Sequence, residues 1–109
     1  GIHGDDQTAK LVSCLYGSLY LVVVNWDDNS PQFKQWQPFI LSAKNKIQVL
    51  IPPKFGNGHV VLSDLAIFHY KQTVYYDRAR QFTIKYNDPE LGIKWPVKEP
   101  IVSERDKGV

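Results

Sequence analysis

Turn-forming segments recur along this chain at intervals of about ten residues, and this spacing limits its possible folds more than any other feature. They are rich in glycine, proline and small polar residues, and the first four occupy residues 17–18, 27–31, 42–46 and 52–58. No window shows a sustained apolar repeat with the period of an amphipathic helix. The sequence therefore predicts an all-β fold, a small antiparallel jelly-roll β-barrel. Its 109 residues predict a single domain, 1–109.

Seven strands are predicted between the turns, at residues 10–16, 19–26, 35–41, 47–51, 59–63, 66–73 and 82–86. The second is apolar on both faces, which is typical of a central strand. Pro38 cannot donate a ladder hydrogen bond, so the third is expected at a sheet edge or a bulge. Residues 52–58 are expected to form a shaped loop, and the strands on either side of Asp64 a hairpin. The proline-rich segment after residue 86 is expected to wrap the outside as an extended C-terminal tail.

Composition and charge exclude several classes of protein. The chain has three Trp, six Tyr and five Phe, and aromatic side chains pack well on pleated sheets. Its net charge is +2 and its basic residues are scattered, so no nucleic-acid partner is expected. The longest apolar run, residues 19–24, is too short to span a bilayer, so no membrane partner is expected. The single Cys14 excludes an intrachain disulfide and is typical of the reducing cytoplasm, the expected location.

Acid–base chemistry remains as the candidate activity. The three histidines, His3, His59 and His69, show no metal-ligand spacing, so no metal is expected. The chain has no glycine-rich phosphate loop and no Gly-x-Ser-x-Gly motif, which argues against nucleotide hydrolysis and acyl transfer. His3, Lys10 and Tyr70 carry side chains that can transfer protons or stabilise charge. From spacing alone, the commoner interpretation of each is an ordinary side chain of the core or rim.

A series of short motifs along the chain adds a family resemblance. In order they are Leu11-Val12, residues 21–24, Ser30-Pro31 with Trp36, Leu41-Ser42-Ala43, Ile51-Pro52, residues 61–64, Tyr70-Lys71 with Tyr75-Tyr76, residues 87–89 and 91–93, Trp95-Pro96, and Ser-Glu-Arg-Asp at 103–106. This series resembles the dTDP-4-dehydrorhamnose 3,5-epimerase family, which has the RmlC-like cupin fold. The resemblance covers practically the whole chain, and its most specific part begins at Tyr70.

The resemblance implies a metal-independent sugar-nucleotide epimerase, which inverts C3, or C3 and C5, of a nucleotide-linked 4-keto-6-deoxy sugar. His3 matches the family's general base in its Gly-x-His motif, and Tyr70 matches its general acid. Asp106 matches the carboxylate that orients the histidine, and Lys10 a lysine near the substrate oxygen. No cofactor is implied, because the proton leaves and returns without a redox step.

The chain departs from the family pattern in one loop. Many members carry a histidine within a Phe-Ala-His-Gly-Phe-like sequence, where this chain has Asn57, and His59 follows two residues later. An amide forms hydrogen bonds but does not titrate. Asn57 and His59 are both assigned to substrate binding, and for His59 a structural or rim role is the alternative. This form is similar to a sub-branch that acts on other nucleotide-linked 4-keto sugars, including heptoses.

The resemblance also implies that the family's N-terminal section, which precedes its catalytic histidine, is missing here. That section supplies part of the family's dimer contact, so an exposed sheet edge is expected to pair in a homodimer. Its loss keeps open a catalytically silent cupin that binds a sugar nucleotide or a protein partner. A sugar-nucleotide 3,4-ketoisomerase is the other alternative, and the sequence identifies neither the nucleotide nor the sugar.

Overall fold

The computed structural model describes residues 1–96, and the regular structure there is almost entirely β-strand. The strands are β1 (Ile2–Gly4), β2 (Lys10–Tyr16), β3 (Ser18–Asn25), β4 (Trp36–Ser42), β5 (Val49–Ile51), β6 (Phe55–Val61), β7 (Ile67–Gln72) and β8 (Phe82–Ile84). A short 3₁₀ helix, Arg78–Arg80, precedes β8. The strands pair as β1 with β6 and β8, β2 with β5 and β7, and β3 with β4 and β6, and each pair is antiparallel. This confirms the all-β prediction.

Two sheets face each other across a shared core. The five-stranded sheet has the order β4-β3-β6-β1-β8, and the three-stranded sheet has the order β5-β2-β7. Buried side chains from both sheets fill the space between them: Val12, Cys14, Leu19, Leu21, Leu41, Val49 and Ile51. We call the surface that each sheet turns toward the other its inner face, and this core the inner core.

β3 is buried on both of its faces. Leu19 and Leu21 point to the inner core, Val22 and Val24 point to the opposite side of the sheet, and all four are fully buried. β3 lies between β4 and β6, which confirms the prediction of a central strand. β4 contains Pro38 and, within residues 1–96, has a neighbouring strand on one side only, so the predicted edge position is confirmed as well.

A second core covers the outer face of the five-stranded sheet. It is formed by Ile2, Val22, Val24, Ile84 and Leu91. The segment after β8 lies over it. Trp36 Nε1 of β4 donates to the Leu91 carbonyl at 2.7 Å and holds the segment on the sheet, and within the segment Trp95 Nε1 donates to the Tyr86 carbonyl at 2.7 Å. The prediction of an outer wrapping segment is confirmed as far as residue 96, and the rest of the predicted tail lies outside the described residues.

The predicted hairpin around Asp64 is wrong. β6 pairs with β3 and β1, whereas β7 pairs with β2 in the other sheet. The turn itself exists, and Ser63 shapes it: its Oγ accepts from the Ser18 N–H at 3.0 Å and donates to the Leu65 carbonyl at 2.7 Å. Turn residues indicate where the chain changes direction, but the partner of each strand depends on which sheet buries its apolar side chains.

β6 begins at Phe55, inside the segment predicted to be a loop. Two of its residues are glycines because the neighbouring chain lies too close for a side chain. A Cβ on Gly56 would lie 2.8 Å from Ile2 Cγ2, and one on Gly58 would lie 2.9 Å from the Gly1 carbonyl oxygen. The approaching segment is β1, a three-residue strand that the sequence pattern did not indicate. The two glycines therefore admit a neighbouring strand rather than form a turn.

Two features of the described region concern the chain's environment. Cys14 is a free thiol in the inner core and is 5% exposed. Within the described residues, 1–96, no helix has the length and apolar character needed to cross a bilayer. The cytoplasmic location itself stays a prediction.

We expect Leu21→Ala to lower the free energy of unfolding by about 2–5 kcal/mol, because Leu21 is fully buried between the sheets and its loss leaves a cavity. Chemical denaturation monitored by tryptophan fluorescence measures this change. Leu65→Ala is the matched control, since Leu65 is 66% exposed, and we expect a loss of less than about 0.5 kcal/mol. Equal losses in the two variants would contradict the assignment of the inner core.

Candidate active site

Cross-strand register places His3 on the inner face of the five-stranded sheet. His3 lies opposite Asn57 of β6 and opposite Thr83 of β8, and Asn57 also lies opposite Val23 of β3. Residues opposite one another in neighbouring strands point to the same face. Val23 packs against the inner core. The predicted base His3 and the predicted ligand Asn57 therefore both face the three-stranded sheet.

Lys10 and Tyr70 face the same space from the three-stranded sheet. Side chains alternate along a strand, so Lys10 shares the inner face with Val12 and Cys14, which belong to the inner core. Tyr70 lies opposite Val12, so it points to that face as well. Its side chain is 47% exposed, which locates it at the open mouth between the sheets rather than in the core.

Lys10 joins the two sheets at this mouth. Its Nζ lies 3.5 Å from Asn57 Oδ1, a long hydrogen bond between the sheets. The same Nζ lies 5.9 Å from the centroid of the Tyr70 ring. Asn57 is the cross-strand neighbour of His3, so a continuous series of neighbours connects the predicted base with the predicted acid.

His59 faces the same mouth, two residues after Asn57 on β6, as the predicted alternation requires. Its ring stacks on Phe68, with centroids 4.3 Å apart and planes inclined by 22°. The Phe68 ring in turn lies 5.7 Å from the Tyr70 ring. His59 is an exposed residue, but the partial burial of its ring at the mouth lowers its pKa below the usual 6.5. The neutral imidazole is therefore the dominant form of His59 at neutral pH.

His3 has a hydrogen-bond partner that the sequence did not indicate. Its Nδ1 lies 3.0 Å from Thr83 Oγ1, and the donor depends on the imidazole tautomer. This bond restrains the ring orientation of His3. Thr83 can be identified as the partner of His3 only once β8 is known to pair with β1. The orienting residue predicted at Asp106 lies outside the described residues.

Burial lowers the pKa of Lys10 below its usual 10.5, because the ammonium group loses water on the inner face. The carboxylate of Asp5 opposes this change in part. A partly desolvated ammonium gains more from an added negative charge than a fully hydrated one does. The position of Lys10 is therefore suited to stabilising an oxyanion on a bound ligand.

Asp5 is a buried carboxylate that holds the connection between β1 and β2. One oxygen accepts from the Gln7 N–H at 2.9 Å and from the Thr8 N–H at 2.7 Å, and the other accepts from Thr8 Oγ1 at 2.8 Å. Burial alone would raise the pKa of Asp5, but these hydrogen bonds, with a smaller contribution from Arg80, lower it below 3.8. The Asp-x-x-Thr pattern is the sequence signal for this turn. Asp5 thus fixes the strand that carries His3 relative to the strand that begins with Lys10.

Two further features of the described region concern ligands. Across residues 1–96, no three His, Cys, Asp or Glu side chains are grouped closely enough to hold a metal ion. A separate open cleft of about 330 Å³ is lined by Asp6, Trp26, Asp27, Asp28, Phe33, Lys54 and Phe82. Of the predicted site residues, those that the structure describes do not line this cleft, so it is distinct from the mouth between the sheets.

The sequence matches one family model and several curated relatives. The family model described as dTDP-4-dehydrorhamnose 3,5-epimerase matches residues 1–109. The dTDP-4-dehydrorhamnose 3,5-epimerase of Pseudomonas aeruginosa is 42% identical over 110 residues, which cover 98% of this chain and 61% of the relative. That of Salmonella typhimurium is 41% identical over 110 residues, which cover 97% and 60%. The chain thus spans about 60% of the length of these curated relatives.

A solved structure shares the fold. The dTDP-6-deoxy-D-glucose-3,5-epimerase RmlC of Legionella pneumophila, in complex with dTDP-4-keto-L-rhamnose, matches with a TM-score of 0.92 at 43% sequence identity. The match covers 99% of this chain and 59% of that one. This likeness confirms the predicted RmlC-like cupin architecture.

We expect Asp5→Asn to lower the free energy of unfolding at pH 7 by about 1–3 kcal/mol, because an amide cannot accept all of the hydrogen bonds that the buried carboxylate accepts. Since the pKa of Asp5 is lower in the folded chain, its contribution is complete above the ordinary value of 3.8 and is lost as the pH falls through the folded value. Denaturation of parent and variant at pH 7 and pH 3 should therefore give a smaller difference in acid.

The exposed neighbour Asp6 supplies the control for this measurement. We expect Asp6→Asn to leave stability within about 0.5 kcal/mol at both pH values. A loss in Asp6→Asn as large as that in Asp5→Asn would show that the hydrogen bonds of Asp5 do not stabilise the connection.

Proposed function

Because the chain belongs to the dTDP-4-dehydrorhamnose 3,5-epimerase family, we propose that it inverts C3, or C3 and C5, of a nucleotide-linked 4-keto-6-deoxy sugar. One observation carries the proposal: the candidate base His3, cation Lys10 and acid Tyr70 lie on the inner faces of two facing sheets. The ligand of the Legionella relative, dTDP-4-keto-L-rhamnose, supports a nucleotide-linked keto sugar as the substrate class.

Proton abstraction is the first step of this reaction. The 4-keto group acidifies the C–H bonds on the adjacent carbons, and the neutral imidazole of His3 takes one of these protons. The electron pair of the broken C–H bond moves toward the ketone and leaves a negative charge on its oxygen. The ammonium of Lys10 stabilises that enolate, and the protein supplies the charge without having to reorganise.

Inversion requires that the new proton reach the opposite face of the carbon. Tyr70 belongs to the sheet that faces His3, so a sugar ring bound between the sheets has the imidazole on one side and the phenol on the other. Transfer of the phenolic proton to carbon restores the ketone with the opposite configuration. Proton exchange with water then returns the imidazolium and the phenolate to their starting forms, and no oxidant or reductant is needed.

Asn57 and His59 complete the proposed site as substrate-binding residues. The Asn57 amide already contacts Lys10, so it can hold the ammonium in place while its other atoms bind a sugar hydroxyl. Because asparagine replaces a titratable histidine, this position binds without exchanging protons. That difference supports a substrate from the wider group of nucleotide-linked 4-keto sugars. Asp106 is proposed to orient His3 and to stabilise its imidazolium.

A homodimer is part of the proposal. β7 pairs with β2 along one edge, and within residues 1–96 its other edge has no strand beside it. An open edge of six residues is a template for another strand, and a second copy of the chain is the partner that we propose. Because Tyr70 lies on β7, pairing at this edge would also restrain the acid.

The exchange of solvent hydrogen tests the reaction. In heavy water, with dTDP-linked or GDP-linked 4-keto-6-deoxy sugars, we expect deuterium at C3 or C5 by NMR. His3→Ala should slow this exchange by about 10²–10⁴-fold, because it removes the base. Tyr70→Phe should preserve exchange but slow inversion by a similar factor, since proton removal does not require the phenol.

The other outcomes of that experiment identify the alternatives. Saturable binding of these sugars without any deuterium incorporation would reject the epimerase and indicate a catalytically silent cupin. A product whose carbonyl has moved from C4 to C3 would indicate a ketoisomerase.

Light scattering tests the assembly. We expect twice the mass of the chain at the concentrations used for the exchange experiment, because the open edge of β7 is paired in solution. A mass equal to that of one chain would contradict the homodimer without affecting the proposed chemistry.

A further inference from the structure

A column of three aromatic rings connects the two sheets at the mouth of the site. His59 of the five-stranded sheet stacks on Phe68 of the three-stranded sheet, with centroids 4.3 Å apart. Phe68 and Tyr70 are two residues apart on β7, so they share one face of it, and their rings lie 5.7 Å apart with planes inclined by 39°. We refer to His59, Phe68 and Tyr70 as the aromatic column.

The Tyr70 ring needs support from outside its own strand. β7 is an edge strand of three, and Tyr70 is 47% exposed. Phe68 cannot fix the ring relative to His3, because Phe68 and Tyr70 move together with β7. His59 belongs to the sheet that carries His3, so its contact with Phe68 restrains β7 against the sheet of the base.

The chemistry of the imidazole suits this structural contact. A neutral ring stacks on a phenyl group without the cost of desolvating a charge. It also adds no positive charge to a mouth that already contains the ammonium of Lys10. The lowered pKa of His59 agrees with a ring that stays neutral in this position.

From this geometry we infer that His59 is a positioning residue, which acts through Phe68 to hold the Tyr70 hydroxyl where it delivers a proton. The inference rests on the proposed function, since it assigns a task within the same reaction. It predicts a specific kinetic defect when the His59 ring is removed: His3 still removes the proton, but the opposite face of the sugar is protonated slowly.

The ratio of the inversion rate to the deuterium-exchange rate at the same carbon measures this defect. We expect His59→Ala to lower the ratio by about 10-fold to 100-fold, because a displacement of about 1 Å costs that much in a positioned group, and any loss of substrate binding affects exchange and inversion alike. His59→Phe should restore the ratio, since it restores the stacked ring. His59→Leu, which keeps an apolar side chain but no ring, should behave as His59→Ala and serves if the alanine variant folds poorly.

His69→Ala is the matched control. His69 lies on β7 beside Phe68 and Tyr70 but points to the opposite face, and its removal should leave the ratio unchanged. An unchanged ratio in His59→Ala, or a failure of His59→Phe to restore it, would overturn the inference while leaving the epimerase intact. Absence of exchange in the parent chain would instead reject the proposed function.

A second readout does not depend on catalysis. In spectra of the chain labelled with ¹³C-tyrosine, the Tyr70 ring signal is the one lost in Tyr70→Phe. We expect His59→Ala to shift that signal and His69→Ala to leave it in place. If the Tyr70 signal is the same in parent and His59→Ala, the aromatic column does not position the phenol.

Discussion

Burial of β3 on both of its faces is the constraint on which the rest of the structure depends. Leu21 points to the inner core and Val22 to the outer one, so the strand cannot slip by one residue without moving its side chains into the wrong core. Val23 must therefore face inward, and the residues opposite one another across β6 and β1, Asn57 and His3, must do the same. The direction of the candidate base is thus a consequence of hydrophobic packing two strands away.

Strands with a strong apolar pattern could be predicted from the sequence, whereas strand partners could not. The bounds of β2 and the central position of β3 follow from local runs of apolar residues between turns. The pairing of β6 and β7 with different sheets does not, since the turn at Asp64 fits either arrangement. β1 is three residues long and has too little pattern of its own, because its stability comes from the strands on either side.

The candidate site shows the same division. Lys10, Asn57, His59 and Tyr70 were selected by family resemblance, and the fold brings them to one mouth. Asp5 could have been found, because its turn has a local signature and all of its hydrogen-bond donors lie within three residues. Thr83 could not have been found, because its relation to His3 exists only across a pair of strands far apart in the chain.

The position of His3 depends on two glycines of β6 that carry no functional group themselves. Gly56 and Gly58 turn away from the mouth, yet their bare backbone is what allows Ile2 and the main chain at Gly1 to lie close. A methyl group at either position would act as a wedge behind β1 and tilt the imidazole that β1 carries. Evolutionary drift at these two positions is therefore tied to the orientation of the His3 ring, and a relative that fills the position of Gly56 would need a smaller residue in place of Ile2.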